Sequence, residues 1–347
     1  MSGRIYPGKK WTDTEGKPIQ AHGGSVYFEN GTYYWIGENK EKTDGKNGIW
    51  QYGMRAYASE DLSAWRDLGL IVPPSEDRSS TLHPFRMADR PHILYNAGTK
   101  KYVLWIKVMD EAAGTQSMTI LTADSLLGPY ETVRERYRPL GMNAGDFDLS
   151  KAEDGKGYIY FERVHSELIC ADLTEDYCGV TGYYSTHFPR VSPPYVREAP
   201  AHFSRNGKHY LITSGTTGYL PNPSECAAAD TWHGPFRVLG NPHPGDATQT
   251  SYRSQISCVF RAEGKKDLFI AAADRWAPDV TADYAVYGKL YERLLKGDID
   301  AYFALLSYGE DKKRATRDAD YVWLPVRFDG DVPVIEWKEE WGLDDYE

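Results

Sequence analysis

The sequence carries one short turn signal five times, and each copy is followed by an aromatic or apolar run. The turns are Asn30-Gly31, residues 96–98, Asp154-Gly155, Asn206-Gly207 and Glu263-Gly264. Such pairs between β-rich runs are the strongest local signal for a hairpin, because the turn requires positive φ. Their repetition at intervals of roughly 50 to 70 residues predicts one small antiparallel sheet per repeat, as in a propeller.

The rest of each repeat predicts a further pair of strands. Gly128-Pro129 and Gly234-Pro235 mark similar outer turns two repeats apart, so each repeat accounts for about four short antiparallel strands. Five such sheets around an axis leave only short, protected edges. We therefore predict an all-β fold, a five-bladed β-propeller that forms a single domain over residues 1–347.

Residues 277–320 depart from this pattern. Their apolar residues recur every three or four positions, which predicts a short helical insertion in the last blade. Surface decoration, a lid and a dimer contact all stay open as roles for the insertion, and the oligomeric state is left open with them.

The charge and the cysteine spacing restrict the class of protein. The formal net charge is -10 and the isoelectric point is about 5.5, so nucleic-acid binding is not expected without a basic stripe. No apolar stretch is long enough to span a membrane, and residues 1–10 lack the apolar segment of a signal peptide. The spacing of the four cysteines matches neither a zinc site nor a dense disulfide framework. Together these features predict a cytoplasmic protein with free thiols.

One polar residue precedes each turn at a similar offset, and it would face the propeller axis if each hairpin is the inner edge of a blade. These residues are His22, Asp89, Asp148, Glu198 and Gln255. Two carboxylates on opposite sides of a pocket are the minimal equipment for hydrolysis of a glycosidic bond. One protonates the leaving oxygen, and the other activates water or stabilises the cationic transition state. We therefore predict a glycosidase pocket on the axis.

Glu198 is the best candidate for the proton donor. It lies between two proline-containing segments, and an apolar setting would keep its carboxyl protonated near neutral pH. Asp89 precedes Arg90, and an ion pair between them would hold the carboxylate ionised. Gln255 carries no charge, so its residue type predicts a hydrogen bond to substrate or water. Asp89 or Asp148 then stays open as the general base.

Further polar and aromatic residues complete the predicted pocket. Aromatic faces stack on sugar rings, and the two glycines after His22 permit close approach of the backbone to a ligand. Strand alternation places Asp146 and Asp148 on one face, where either would bind sugar hydroxyls or tune Glu198. The candidate substrate-binding residues are His22, Asp148, Tyr219, Asn222, Arg275, Trp276 and Trp323. Packing is the alternative role for the aromatic members, and a hydrogen-bonded core position is the alternative for His22.

Several of these motifs together resemble glycoside hydrolase family 43, and more narrowly its branch of exo-β-1,3-galactanases. The motifs are residues 19–24 and 33–38 in the first repeat, 89–92 and 95–96 in the second, 198–201, 214–219 and 221–222 in the fourth, and 254–255, 274–276 and 321–325 in the fifth. The resemblance covers residues 17–337 outside the insertion.

The resemblance implies a five-bladed propeller and an inverting glycosidase that acts on terminal bonds. By motif, Glu198 matches the general acid, and Gln255 matches a glutamine thought to take the base position in this branch. Asp89 matches a glutamate that assists catalysis, although its side chain is one methylene shorter. No cofactor is expected to be required. A structural calcium occurs at the propeller centre in the family, and His22 would lie near it, but the sequence contains no calcium motif.

The expected substrate is an oligosaccharide, with β-galactosidic bonds as the leading choice. The alternatives are an arabinofuranosidase or β-xylosidase of the same family, and a non-catalytic glycan-binding propeller. A protein-interaction propeller is a further alternative, and it would show an exposed apolar face with no polar cluster on the axis.

Overall fold

The strands form a ring of five four-stranded antiparallel sheets, one for each repeat. The computed structural model describes residues 3–110, 112–308 and 315–347. In every sheet the strands are paired in chain order, and the first strands of the five sheets neighbour one another around the ring. The predicted five-bladed β-propeller is therefore confirmed.

The blades follow one another along the chain, and their strands are numbered in chain order. Blade 1 comprises β1 (His22–Glu29), β2 (Thr32–Glu38), β3 (Met54–Ser59) and β4 (Arg66–Val72). Blade 2 comprises β5 (Met87–Asn96), β6 (Lys101–Asp110), β7 (Thr115–Ala123) and β8 (Glu131–Tyr137). Blade 3 comprises β9 (Ala144–Lys151), β10 (Gly157–Arg163), β11 (Glu167–Leu173) and β12 (Val180–His187). Blade 4 comprises β13 (Arg197–Arg205), β14 (Lys208–Gly215), β15 (Glu225–Ala229) and β16 (Arg237–Gly240). Blade 5 comprises β17 (Gln255–Arg261), β18 (Phe269–Arg275), β19 (Asp320–Asp329) and β20 (Val332–Ile335).

The two-residue turns of the inner hairpins adopt the conformation that their sequence favours. Asn30 and Gly31 join β1 to β2 with φ of 50° and 81°, and Asn206 and Gly207 join β13 to β14 with φ of 51° and 74°. Two successive positive φ angles match the twist of the flanking strands. The turn residues thus favour the hairpin between the first two strands of these blades.

Apolar side chains packed between neighbouring sheets hold the blades together. Between blades 5 and 1, the ring of Trp323 lies 4.6 Å from that of Trp35 and 5.7 Å from that of Trp65. Burial of each such side chain stabilises the fold by about 2–3 kcal/mol. The N-terminal segment joins the chain that follows the last strand, since Ile5 pairs with Trp341.

The innermost strands carry β-bulges at the end where they begin. Asp89 and Glu198 each lie at a break in strand register, followed by Arg90 and Ala199 with φ of 53° and 47°. Gln255 opens β17 just before another break. A bulge re-aims the side chains next to it, and here it directs polar side chains into the mouth of the ring.

Two helices, α1 (Tyr284–Leu295) and α2 (Ile299–Ser307), lie between β18 and β19. They confirm the predicted helical insertion in the last blade, whose residues 309–314 lie outside the described residues. Within the described part of the chain, neither helix has the length and apolar character needed to cross a bilayer.

Candidate active site

A pocket of about 400 Å³ opens where the innermost strands begin. It combines a charged floor with an aromatic wall. The charged residues that line it are Glu38, Lys40, Asp89, Arg90, Lys107, Asp146, Glu162, His165 and Glu198. These side chains come from blades 1 to 4, so the pocket exists only because the ring closes.

The surroundings of Glu198 favour the neutral form of its carboxyl group. Burial raises the pKa of its carboxyl well above the ordinary value, and the negative charges of Asp146 and Glu162 raise it further. The opposing charges of Arg90 and Lys107 are the smaller effects. A carboxyl group that stays protonated near neutral pH is suited to donate a proton.

Gln255 has a hydrogen-bond partner for each of its amide atoms. Its Nε2 donates to Glu198 Oε1 at 3.1 Å and to Ser214 Oγ at 2.8 Å. Its Oε1 accepts from Arg90 Nη2 at 2.5 Å and from Trp276 Nε1 at 3.3 Å. Since a guanidinium only donates, Arg90 determines which end of the amide is oxygen. The amide N–H therefore has to face Glu198.

Asp89 is ionised and surrounded by donors. Its carboxylate accepts from the indole of Trp50, and it lies 3.4 Å from Lys107 Nζ and 3.6 Å from Lys40 Nζ. Burial would raise its pKa, but the charges of Lys107 and Lys40 outweigh burial and hold the pKa below its ordinary value. Lys40 also contacts Glu38 at 2.7 Å.

Asp146 is the counter-ion of Arg90. Arg90 Nε lies 2.9 Å from one carboxylate oxygen, and Lys107 Nζ lies 2.7 Å from the other. Burial opposes ionisation of Asp146, but the two cations lower its pKa to about 2. The prediction that Arg90 pairs with Asp89 is therefore wrong. The bulge turns Arg90 towards blade 3, and lysines neutralise Asp89 instead.

Three aromatic residues from three blades form the wall above this charged floor. The ring of Tyr219, in the loop after β14, lies 6.3 Å from that of Trp50 and 5.7 Å from that of Trp276. Trp50 and Trp276 also donate hydrogen bonds to Asp89 and Gln255. An aromatic surface beside hydrogen-bonding groups suits a sugar ring, which has an apolar face and a polar rim.

The sequence model for glycosyl hydrolases family 43 matches residues 17–258. This match spans more than half of the chain. The protein belongs to glycosyl hydrolase family 43.

Solved structures of this family share the whole fold. The family 43 β-1,3-galactosidase BT0265 is 28% identical with a TM-score of 0.81, and the match covers 100% of this chain and 65% of that chain. The family 43 β-1,3-galactosidase BT3683, solved with galactodeoxynojirimycin, is 26% identical with a TM-score of 0.78, over 97% of this chain and 99% of that one. The exo-β-1,3-galactanase from Phanerochaete chrysosporium, solved with galactose, shares the fold with a TM-score of 0.78 at 22% identity, over 98% and 68% of the two chains.

A curated relative matches only locally. Kelch-like protein 41a of Danio rerio is 24% identical over 128 residues, which is 34% of this chain and 20% of that protein. The family assignment therefore rests on the family 43 match, and the solved structures support it.

In this family 43 protein, five of the predicted site residues line the same pocket. They are Asp89, Glu198, Gln255, Tyr219 and Trp276. They come from blades 2, 4 and 5 and meet through ring closure. Their catalytic and binding roles stay predictions that substitution can test.

Two predicted substrate-binding residues, His22 and Asp148, are buried and do not line the pocket. His22 is fully buried, and its ring packs 5.6 Å from that of Trp276. Asp148 accepts from the backbone N–H groups of His202 and Leu149 at 2.7 and 2.8 Å. Its pocket counterpart is Asp146. Glu198 and Gln255 lie eight residues before the first residue of their turns. The same offset counted back from Asp154 gives Asp146, whereas Asp148 lies only six residues before it.

Three more of the predicted substrate-binding residues have structural contacts away from the pocket. Asn222 spans its own loop, bonding both to the backbone of Gly215 and to Thr217 Oγ1. Arg275 donates to the carbonyl groups of Gly8 and Tyr252. Trp323 is 1% exposed in the core between blades. None of these three side chains lines the pocket, so the structure does not bring them together with the candidate catalytic residues.

Sequence reasoning missed most of the charged floor. Glu38, Lys40 and Lys107 lie at or near strand ends, and Trp50 lies in the loop after β2. Glu38 belongs to a motif noted for its resemblance, which is the signal that could have found it. Lys40, Lys107 and Trp50 carry no local signal, because their importance arises from partners in other elements.

The residues around His22 do not fit a calcium site. Its ring nitrogens lie 3.3 Å from Asp274 Oδ1 and 3.3 Å from the hydroxyl of Tyr321. The other oxygen of Asp274 accepts from Gly23 N and Ser257 Oγ. Calcium requires six to eight oxygen ligands, and the described residues contain no group of three or more His, Cys, Asp or Glu placed to hold a metal.

Proposed function

We propose that the protein is an inverting glycoside hydrolase that releases terminal β-linked galactose from β-1,3-galacto-oligosaccharides. The family, the resemblance to exo-β-1,3-galactanases and the names of BT0265 and BT3683 support this substrate class. The observation that carries the mechanism is the hydrogen bond from Gln255 to Glu198. Glu198 is the neutral acid, and the negative charges near it raise its pKa.

Glu198 acts as the general acid. Since Gln255 Nε2 donates to Oε1, the proton of the neutral carboxyl belongs on Oε2. This proton passes to the glycosidic oxygen as the bond to the anomeric carbon breaks. The carboxylate left behind is stabilised by the Gln255 N–H and by the positive charges of Arg90 and Lys107.

Asp89 accepts the proton of the attacking water. An inverting reaction needs a water on the face of the sugar opposite the acid, and a base to activate it. Asp89 is ionised, and a carboxylate has about four acceptor sites. Trp50, Lys107 and Lys40 face Asp89, which leaves about one site for a water. The Gln255 carbonyl already accepts from Arg90 and Trp276. These contacts favour Gln255 as the residue that orients Glu198, and Asp89 as the base.

The size of the pocket supports action on a chain end. Its volume of about 400 Å³ lies at the small end of the range of about 300–1,000 Å³ for ligand sites. The charged floor and the aromatic wall enclose it from several blades, as expected for a site that receives one terminal sugar and not the middle of a polymer.

The test is product release from β-galacto-, arabino- and xylo-oligosaccharides by the wild type, Glu198→Gln and Glu153→Gln. Loss of the acid should lower the rate on poor leaving groups by about 10²–10⁴-fold, while exposed Glu153 serves as the matched control. Nuclear magnetic resonance should show α-galactose as the first product, because the reaction inverts.

Three outcomes would overturn the proposal. A wild-type rate in Glu198→Gln would show that Glu198 is not the general acid. Release of β-galactose as the first product would show that the reaction retains the anomeric configuration. Release of arabinose or xylose without galactose would reassign the sugar. Binding of a galacto-oligosaccharide without turnover by the wild type would instead support a glycan-binding propeller.

A further inference from the structure

Helix α1 of the insertion holds the loop that carries Tyr219. The hydroxyl of Tyr291 donates to the carbonyl of Thr217 at 2.8 Å, and the hydroxyl of Tyr287 donates to the carbonyl of Pro221. The two tyrosines lie four residues apart, so they share one face of the helix. The loop is therefore fastened to the insertion at both sides of Tyr219.

Apolar packing and internal hydrogen bonds complete this attachment. Leu220 is buried in one cluster with Val280, Tyr287, Tyr291 and Leu305, all from the segment after β18. On the opposite side, Asn222 ties the loop to the end of β14, as described above. These contacts hold the chain on both sides of Tyr219, at Thr217 and Pro221. The insertion therefore determines where the Tyr219 ring lies in the pocket.

The loop lies on the leaving-group side of the proposed reaction. Most of the charged floor comes from blades 1 to 3, and we expect the hydroxyls of a terminal sugar to bind there. Glu198 donates its proton towards the leaving group. It pairs with Ser214 near the end of β14, and the loop that follows lines the same pocket with Thr216, Gly218 and Tyr219. Gly218 is exposed, so this side of the pocket opens to solvent and admits the rest of an oligosaccharide.

We propose that the α1 insertion is a specificity-determining element that positions Tyr219 to bind the sugar on the leaving-group side. Tyr287 and Tyr291 are positioning residues, and Tyr219 supplies the aromatic contact with the second sugar. This inference rests on the proposed function, since it concerns how the same site selects its substrate. In this inference the insertion holds one side of the pocket in a fixed position.

The test is a double-mutant cycle between Tyr291→Phe and Tyr219→Ala, with Tyr287→Phe as a second positioning variant. Tyr302→Phe is the matched control, because Tyr302 is 40% exposed on α2 and is not part of the apolar cluster around Leu220. KM and kcat are measured on β-1,3-galactobiose. Galactose is the second probe, and its inhibition constant reports the terminal-sugar position alone.

Loss of either tyrosine hydroxyl should raise KM for galactobiose about 2- to 10-fold, the range expected for one lost hydrogen bond. The galactose inhibition constant and kcat should stay within about twofold, because the charged floor is untouched. In the Tyr219→Ala background, Tyr291→Phe should have no further effect on KM, since coupled residues are not additive.

Unchanged KM in both tyrosine variants would overturn the inference, as would an equal effect of Tyr291→Phe with and without Tyr219. The second result would mean that Tyr291, which also lines the pocket, contacts the substrate itself. A parallel weakening of galactose binding would indicate a general structural role. Absence of turnover by the wild type on every glycoside would instead defeat the proposed function, so the two failures are distinguishable.

Discussion

The amide of Gln255 donates a 3.1 Å hydrogen bond from blade 5 to Oε1 of Glu198 in blade 4. Arg90, from blade 2, holds the other end of that amide at 2.5 Å. Three blades thus cooperate to fix one proton position, because the guanidinium orients the amide and the amide selects the carboxyl oxygen that stays unprotonated. The same contacts make the ionisation of Glu198 open to test by substitution.

Glu162→Gln should move the alkaline limb of the pH–rate profile to lower pH. Activity requires protonated Glu198 and is lost as pH rises through its pKa. The negative charge of Glu162 raises that pKa, so its removal lowers the pKa, while glutamine retains an oxygen for the N–H of His165. The measurement is kcat/KM on galactobiose from pH 4 to 10. A limb at the same pH as in the wild type would contradict the assignment of Glu198.

Gln255→Glu should move the same limb in the opposite direction. The new carboxylate would lie next to Glu198 and pair with Arg90, so two negative groups would share the site and the pKa of Glu198 would rise. The rate at the optimum should also fall about 10-fold or more, because the N–H that orients the acid is lost. Full activity with an unshifted limb would show that Gln255 does not act through Glu198.

Asp148→Asn should flatten the dependence of stability on pH. Burial raises the pKa of Asp148 from 3.8 to about 7, so the folded state binds more protons than the unfolded state between about pH 4 and 7. The contribution of Asp148 is therefore fully present at low pH and is lost as pH rises through its folded pKa. Urea unfolding of both proteins at pH 5 and pH 8 measures this difference.

The wild type should lose roughly 2–4 kcal/mol more than Asp148→Asn across that interval, at about 1.4 kcal/mol per pKa unit. The substituted asparagine side chain would satisfy fewer backbone N–H groups, which lowers stability equally at both pH values, so only the difference between them counts. Exposed Asp230→Asn is the control. Parallel pH profiles in all three proteins would mean that Asp148 is not held neutral.

Chelation should leave activity and thermal stability unchanged. His22 and Asp274 have protein partners for the atoms that a calcium ion would need. The measurement is Tm and galactobiose hydrolysis before and after dialysis against EDTA, with calcium added back as the control. A fall in Tm that calcium restores would show a metal site that these residues do not account for.

The catalytic candidates could be predicted from the sequence because the innermost strand and its turn recur in a similar form in each blade. Glu198, Gln255 and Asp89 lie at or next to breaks in strand register on innermost strands, at similar distances from their turns. Asp148 was selected instead of Asp146 because strand alternation places both on one face and cannot reveal which of the two reaches the pocket. Arg90 was noticed as a neighbour of Asp89, whereas its partner is Asp146 on the next blade.

The sequence by itself determined the propeller, because hairpins depend on turn residues and on hydrogen bonds between strands close in the chain. It also indicated Glu198 and Gln255 as candidate catalytic residues. Only the tertiary structure decided how the pocket is charged, since Arg90 and Lys107 of blade 2 both pair with Asp146 of blade 3. It likewise decided that the insertion fastens the Tyr219 loop. Such pairings join residues far apart in the chain, and they form only when five separately specified blades close into one ring.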